Sequence, residues 1–162
     1  MTSGRAAVAM SDQETLDFLR SQRKVQVASN GHDGIPHLTT LFYVVDDAGR
    51  IMFWTYGRSQ KIKNLERDDR ISALVEGGDD YFELRGVSIR GRAEVVTDPQ
   101  RIFEIGSAVA TRMVDAETFE DLGDLGRTEV ERQARKRVAV VINPERVATW
   151  DHAKMLNTGG TS

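Results

Sequence analysis

Ile51-Met52-Phe53-Trp54-Thr55-Tyr56-Gly57-Arg58-Ser59-Gln60-Lys61-Ile62-Lys63-Asn64-Leu65 is the stretch on which the reading of this chain turns. Residues 51–55 are continuous in apolar side chains, the pattern of a strand buried on both faces. Tyr56-Gly57 ends that pattern, and Ile62 and Leu65, three residues apart, resume it with a helical period. Ser59 stands where it can cap this helix, which sets Lys61 and Lys63 in the first turn. A helix N-terminus carries partial positive charge and free N–H groups, so cations there are mildly unfavourable. Arg58, Lys61 and Lys63 nevertheless crowd into it. A bound phosphate reverses the balance, accepting from the N–H groups, from the hydroxyls of Thr55 and Ser59, and from the lysines. The competing reading is a solvated turn whose lysines pair with Glu66, Asp68 and Asp69.

Outward from this segment the chain reads mostly as strands. Val25 and Val27 alternate with polar neighbours, and a second strand runs through Leu38 to Val45 after the turn formers Asn30-Gly31-His32-Asp33-Gly34. Asp46-Asp47-Ala48-Gly49 closes a hairpin onto the strand at 51–55. Strands resume at 71–75 and at 82–96, the latter long enough to bend at Gly86 or Gly91. Strands at 138–142 and 147–150 close the sheet, with an interruption at Asn143-Pro144. Ser11-Asp12-Gln13-Glu14 has the pattern of a capping box and opens a helix over 11–21. Asp98-Pro99 opens another through Ile102, Phe103 and Ile105, and 115–135 is charged and helical in parts. Six or seven strands with short links and a few helices predict a mainly β, α+β architecture, an antiparallel barrel or sheet. A Rossmann arrangement is excluded by that order and by the missing G-x-G-x-x-G.

Composition bounds the function. The 162 residues suit one domain, expected over 11–156, with 1–10 as a flexible leader and 157–162 as a disordered tail. A formal net charge of −3 supplies no overall field toward nucleic acid or anionic lipid, so a bound anion needs a local cluster. The absence of cysteine removes disulfides, thiolate nucleophiles and cysteine-ligated metals, and three histidines are few for a histidine-rich metal centre. No metal site and no membrane partner are expected. No apolar run approaches a signal-peptide core or a membrane span, so the expected location is cytoplasmic. A serine hydrolase lacks its G-x-S-x-G elbow.

Several pieces, taken in order, resemble the pyridoxamine-phosphate-oxidase-like split barrels, the flavin and deazaflavin oxidoreductases. They are Asp33-Gly34-Ile35-Pro36-His37, the strand Gly49 to Thr55, Ser59-Gln60-Lys61 with Asn64-Leu65, then Asp68 and Arg70-Ile71. Arg90-Gly91-Arg92-Ala93-Glu94-Val95 is similar to a strand typical of the group, and Val147-Ala148-Thr149-Trp150-Asp151-His152-Ala153-Lys154-Met155 resembles the ending of its actinobacterial deazaflavin-linked branch. The resemblance implies a six-stranded antiparallel split β-barrel of the FMN-binding-protein type, and a homodimer with a coenzyme in each of two clefts between subunits. It implies that Ser59 and Lys61 hold the coenzyme phosphate, helped by Thr55 and Gln60. His37, Thr39 and Thr40, on the strand His37–Leu41, would lie along the ring system. Trp150, His152 and Lys154 would reach the cleft late in the chain, from the partner subunit in one arrangement. Vitamin B6 oxidases keep an arginine near Thr39 and an arginine-containing C-terminal ending; Leu38-Thr39-Thr40 and the ending here supply neither.

The activity so implied is reduction of an unsaturated, electron-poor small molecule by the reduced deazaflavin coenzyme F420. The coenzyme carries the hydride and the protein fixes orientation and excludes water, so no side chain is assigned as catalytic. FMN on the same fold is the alternative coenzyme, and a non-catalytic carrier of coenzyme or haem is the alternative role. Individual residues keep plainer readings. His37 can be a hydrogen-bonded structural histidine. Trp54 can be core, and Trp150 a dimer anchor. The basic run Arg132, Arg135, Lys136, Arg137 reads as a solvated helix end, or as a seat for the acidic tail of F420.

Overall fold

In the computed structural model, residues 4–157 are described, and they build a single curled sheet with helices on its margins. The strands are β1 (Lys24–Asn30), β2 (Pro36–Phe42), β3 (Val44–Val45), β4 (Ile51–Tyr56), β5 (Arg70–Gly77), β6 (Arg85–Val96) and β7 (Arg137–Asp151). The helices are α1 (Gly4–Val8), α2 (Asp12–Ser21), α3 (Gln60–Arg67), α4 (Pro99–Met113), α5 (Gly123–Ala134) and α6 (Lys154–Asn157). The seven-stranded sheet runs β2-β1-β5-β6-β7-β4-β3 and every pairing is antiparallel, so the α+β split-barrel class holds. The strand count differs from six because Val44–Val45 pairs separately with β4 instead of continuing β2.

Two features of the long strands depart from the sequence reading. The segment begun at Phe82 starts as a strand only at Arg85, since Tyr81–Glu83 coils into a short 3₁₀ turn. The break expected at Asn143-Pro144 is absorbed without ending β7. The register shifts between Arg90 and Gly91, and Gly91 lies so close to Asn143 that a Cβ there would meet its carbonyl oxygen at 2.1 Å. Proline lacks a ladder donor, and a bulge is where a sheet tolerates it.

The sheet separates two apolar clusters. Val25, Val27, Phe53, Ile71, Ile89 and Ile142 pack inside the curl, where α2 adds Phe18 and Leu19 and α3 adds Ile62 and Leu65. On the other side of β4 and β7, Trp54, Ala139 and Val141 pack against Ile102, Ile105 and Val109 of α4 and Val130 of α5. Alternate residues of β4 therefore feed different cores, which explains its continuous apolar run: Phe53 and Thr55 point inward, Trp54 toward α4. The capping box at Ser11 and Glu14 forms as read.

Of the leader expected over 1–10, Gly4–Val8 is helical. Val8 and Met10 are 6% and 8% exposed, and the Met10 amide donates to Thr149 Oγ1 at 2.9 Å. The tail expected at 157–162 lies, beyond Asn157, outside the described residues. Among the described residues no helix is long and apolar enough to cross a membrane.

Candidate functional site

The chain leaves β4 through a tight turn. The Ser59 amide donates to the Tyr56 carbonyl at 3.0 Å, and the Gly57 amide to the Lys136 carbonyl at 3.0 Å. Ser59 occupies the N-cap of α3 with extended backbone, yet its hydroxyl caps nothing: Oγ is shut away from solvent and has no hydrogen-bond partner. Lys61, only 9% exposed, donates from Nζ to Thr55 Oγ1 at 3.1 Å. Burial, and then repulsion from Arg137, push the Lys61 ammonium below its usual range. A buried cation ordinarily has a carboxylate beside it.

Here the carboxylates are used elsewhere. Asp68 accepts from Arg70 at 2.7 Å and from Asn30 at 2.9 Å, and Arg70 first and then Asn30 hold it far below the usual carboxylate range. Asp69 pairs with Arg92 at 2.6 Å. Among the described residues neither Lys61 nor Lys63 makes an ion pair, Glu66 included. The solvated-turn reading therefore fails for Lys61, which is buried, and for Asp68 and Asp69, which are engaged by other residues, while Lys63 and Glu66 are exposed as it expected.

A polar chain extends the corner across the inner face of the sheet. Gln60 Nε2 donates to Asn64 Oδ1 at 2.9 Å, and the fully buried Asn64 donates from Nδ2 to Ser29 Oγ at 3.1 Å. Ser29 stands opposite His37 in the β1–β2 register, which sets His37 beside this corner. Thr39, two residues along on the same face, has a buried Oγ1 without a partner. The structure thus gathers Thr55, Ser59, Gln60 and Lys61, with His37 and Thr39 on the neighbouring strand. Asn64, the buried link between them, was given no role from the sequence, where it looks like any helical polar residue.

Thr40, Trp150 and Lys154 are not brought to that corner within one chain. Thr40 is exposed on the opposite face of β2. Trp150 lies over Gly86, where a Cβ would meet its ring at 2.1 Å. Lys154 is already bound: Nζ donates to the Ala9 carbonyl at 2.8 Å and to Glu14 Oε2 at 2.7 Å. That pairing is the main reason the Glu14 carboxyl sits below its ordinary range. His152 donates from Nδ1 to the Tyr81 carbonyl at 2.8 Å, an acceptor that fixes the tautomer. A groove of about 1760 Å³ runs over the outer face, lined by Gln26, Leu38, Leu74, Arg90, Ala148 and Trp150 with α1 and α2 at its side. Thr55, Ser59, Gln60 and Lys61 do not line it.

Arg137 is the residue that the sequence misplaced. Instead of ending a solvated helix it opens β7, opposite Tyr56 in register. Its guanidinium lies 4.4 Å from the Tyr56 ring centroid and 4.7 Å from that of Trp54.

A buried lysine without an acid, an idle serine hydroxyl and an antiparallel split barrel narrow the comparison with known proteins. Residues 11–151 match the pyridoxamine 5'-phosphate oxidase family. The chain belongs to that family. Among solved structures, a conserved hypothetical protein from Mycobacterium tuberculosis is 41% identical with a TM-score of 0.85, over 99% of this chain and 96% of that one. A FAD-binding protein from Mesorhizobium loti is 21% identical with a TM-score of 0.65, over 87% of this chain and 94% of that one. An F420 reductase is 21% identical with a TM-score of 0.60, over 82% of this chain and 94% of that one. At that identity the last two establish a shared fold and no more. No curated protein matches the chain.

Proposed function

We propose that this protein binds a phosphate-bearing flavin-type coenzyme, F420 in the first reading, and reduces an electron-poor, unsaturated small molecule with it in the cytoplasm. The observation that carries the reading is Lys61: buried, cationic, and offered only a neutral hydroxyl by its own chain. Such an ammonium is a standing demand for an anion, and the α3 N-terminus, Ser59 Oγ and Thr55 supply further donors around it. The resemblance of Trp150 to Met155 to the deazaflavin-linked ending, and the likeness to an F420 reductase and a FAD-binding protein, favour a flavin-type ring on that phosphate.

When bound, the coenzyme supplies two-electron hydride chemistry. The chain's own part is to hold and orient. Lys61, Ser59 and Thr55 fix the phosphate end, Gln60 is held by Asn64, and His37 and Thr39 present polar groups along β2.

The separation of the two faces supports a second subunit. The outer groove is larger than the several hundred Å³ typical of a small-molecule pocket. It is bordered by Leu38 at 67% exposure, with Ala28, Leu74, Ala148 and Trp150 beside it. A second copy of this chain is the occupant we assign to it, and Trp150 would reach a coenzyme only across such an interface.

Titrating F420 and FMN separately, while following quenching of Trp54 and Trp150 fluorescence, tests the coenzyme. F420 is expected to saturate the signal at the lower concentration, and a substrate that oxidises bound F420H2 separates an enzyme from a carrier. Failure of both coenzymes to bind removes the reading. Light scattering of the pure protein is expected to give the mass of two chains, and a monomer at micromolar concentration removes the shared cleft.

A further inference from the structure

Arg67 sets the direction of a hydrogen-bond chain that ends beside the phosphate corner. Its Nη2 donates to the Asn30 carbonyl at 2.6 Å and to Asn64 Oδ1 at 3.4 Å. A guanidinium has donors only, so the atom that Asn64 turns toward it is the amide oxygen. The amide nitrogen of Asn64 is then left to Ser29, whose Oγ accepts at 3.1 Å. Turned over, this fully buried amide would face the guanidinium with its own N–H groups.

Gln60 meets the same oxygen. Since Asn64 Oδ1 only accepts, the Gln60 atom beside it, 2.9 Å away, is Nε2. The carbonyl oxygen of Gln60 is therefore its unengaged end. The residue is exposed, and among the described residues nothing donates to that oxygen. Gln60 opens α3 between Ser59 and Lys61. Lys61 reaches back to Thr55 on β4, whereas Gln60 is tied through Asn64 to Ser29, opposite His37. It thus lies on the β1–β2 side of the corner, on the course that the proposed function gives the ligand from Lys61 toward His37 and Thr39. A carbonyl oxygen there does not suit a phosphate, whose own oxygens are acceptors. It suits a donor one step further along the ligand. In a phosphate ester that step is the alcohol-derived chain, whose donors are hydroxyls.

We propose that Gln60 reads a hydroxyl on the chain that carries the phosphate, so that the site selects polyol phosphates over simple alkyl phosphates. The inference rests on the phosphate corner of the proposed function. It deepens that reading by adding recognition of the linker, separate from the charge that Lys61 supplies.

The test uses ligands without any ring: ribitol 5-phosphate, n-pentyl phosphate and inorganic phosphate. Their affinities for wild type, Gln60→Met and Lys61→Ala are measured by thermal shift at constant ionic strength, with F420 and FMN titrated separately. Wild type is expected to bind ribitol 5-phosphate about fivefold more tightly than pentyl phosphate, the effect of one neutral hydrogen bond. Gln60→Met, unbranched and without the acceptor, should lose that preference and hold inorganic phosphate within about twofold of wild type. Lys61→Ala should weaken all the phosphates together, which separates the charge from the hydroxyl contact. Equal binding of ribitol and pentyl phosphates by wild type overturns the inference, and so does a preference that survives in Gln60→Met. Weakened inorganic phosphate in Gln60→Met overturns it too, since that makes Gln60 a phosphate ligand. If no phosphate stabilises wild type, the phosphate corner falls and takes this inference with it. A Gln60-dependent preference in a protein that binds neither F420 nor FMN keeps the inference and removes the coenzyme reading instead.

Discussion

Two lysines, Lys61 and Lys154, stood among the expected coenzyme-binding residues, and the fold treats them in opposite ways. Lys61 is buried at the start of α3 and meets only the Thr55 hydroxyl. Lys154 is tied to the Glu14 carboxylate and the Ala9 carbonyl, joining the end of the chain to its beginning. The first cation is unspent and the second is already used. Availability to a ligand therefore depends on whether the fold has supplied a counter-charge, and residue type says nothing about that.

The largest effect that tests this contrast is on binding. Lys61→Ala is expected to weaken a phosphorylated coenzyme by about 1–3 kcal/mol, measured by fluorescence titration, through loss of a charge-assisted contact. The same change should leave the free protein no less stable in thermal melts, because it removes a desolvated charge that has no anionic partner. Lower stability combined with intact coenzyme affinity would reverse the assignment and make Lys61 a structural residue like Lys154.

How much of this was legible beforehand follows the range of the forces involved. The strand, the turn and the helix from Ile51 to Leu65 are local, written in apolar period and a glycine, and they form where read. The capping box at Ser11 is equally local. The fate of Asp69 and the Asn30 contact of Asp68 were not legible, because Arg92 and Asn30 reach them only through the β1–β5–β6 pairing, whereas the Asp68–Arg70 pair is local. Arg137 was lost for the same reason: its neighbours Trp54 and Tyr56 lie some eighty positions earlier in the chain and meet it through the β4–β7 register. The anchoring of the N-terminal segment was hidden too, since the buried Val8 and Met10 sit in a stretch whose backbone gains its partners from Thr149 and Lys154 at the far end of the sequence.

A smaller effect sharpens the contrast through pH. The Lys61 pKa is lowered in the folded protein, first by burial and then by Arg137, so at alkaline pH the unfolded chain binds more protons there than the folded one. Stability contributed by this group accordingly rises as pH climbs from the folded value toward the unfolded 10.5. Anion binding runs the other way and weakens as the ammonium is lost. Coenzyme affinity is expected to fall at a pH below that of an ordinary lysine, and Arg137→Gln should move the fall upward. A midpoint that stays fixed in Arg137→Gln would mean that the two cations do not sense each other.

The smallest effect belongs to Lys154. Replacing it with alanine, or Glu14 with glutamine, should leave coenzyme affinity within about twofold of wild type and lower the melting temperature slightly, as for an exposed ion pair. The sign with pH is set by the carboxylate. Glu14 has a folded pKa below its ordinary 4.5, so its contribution is present above that value and disappears as pH drops through the folded one. Thermal melts at neutral pH should therefore separate wild type from Glu14→Gln, and melts in strong acid should bring the two together. Were Lys154→Ala instead to abolish coenzyme binding while the melting temperature held, the salt bridge to Glu14 would have to open when the coenzyme arrives, and the division between a free cation and a spent one would no longer hold.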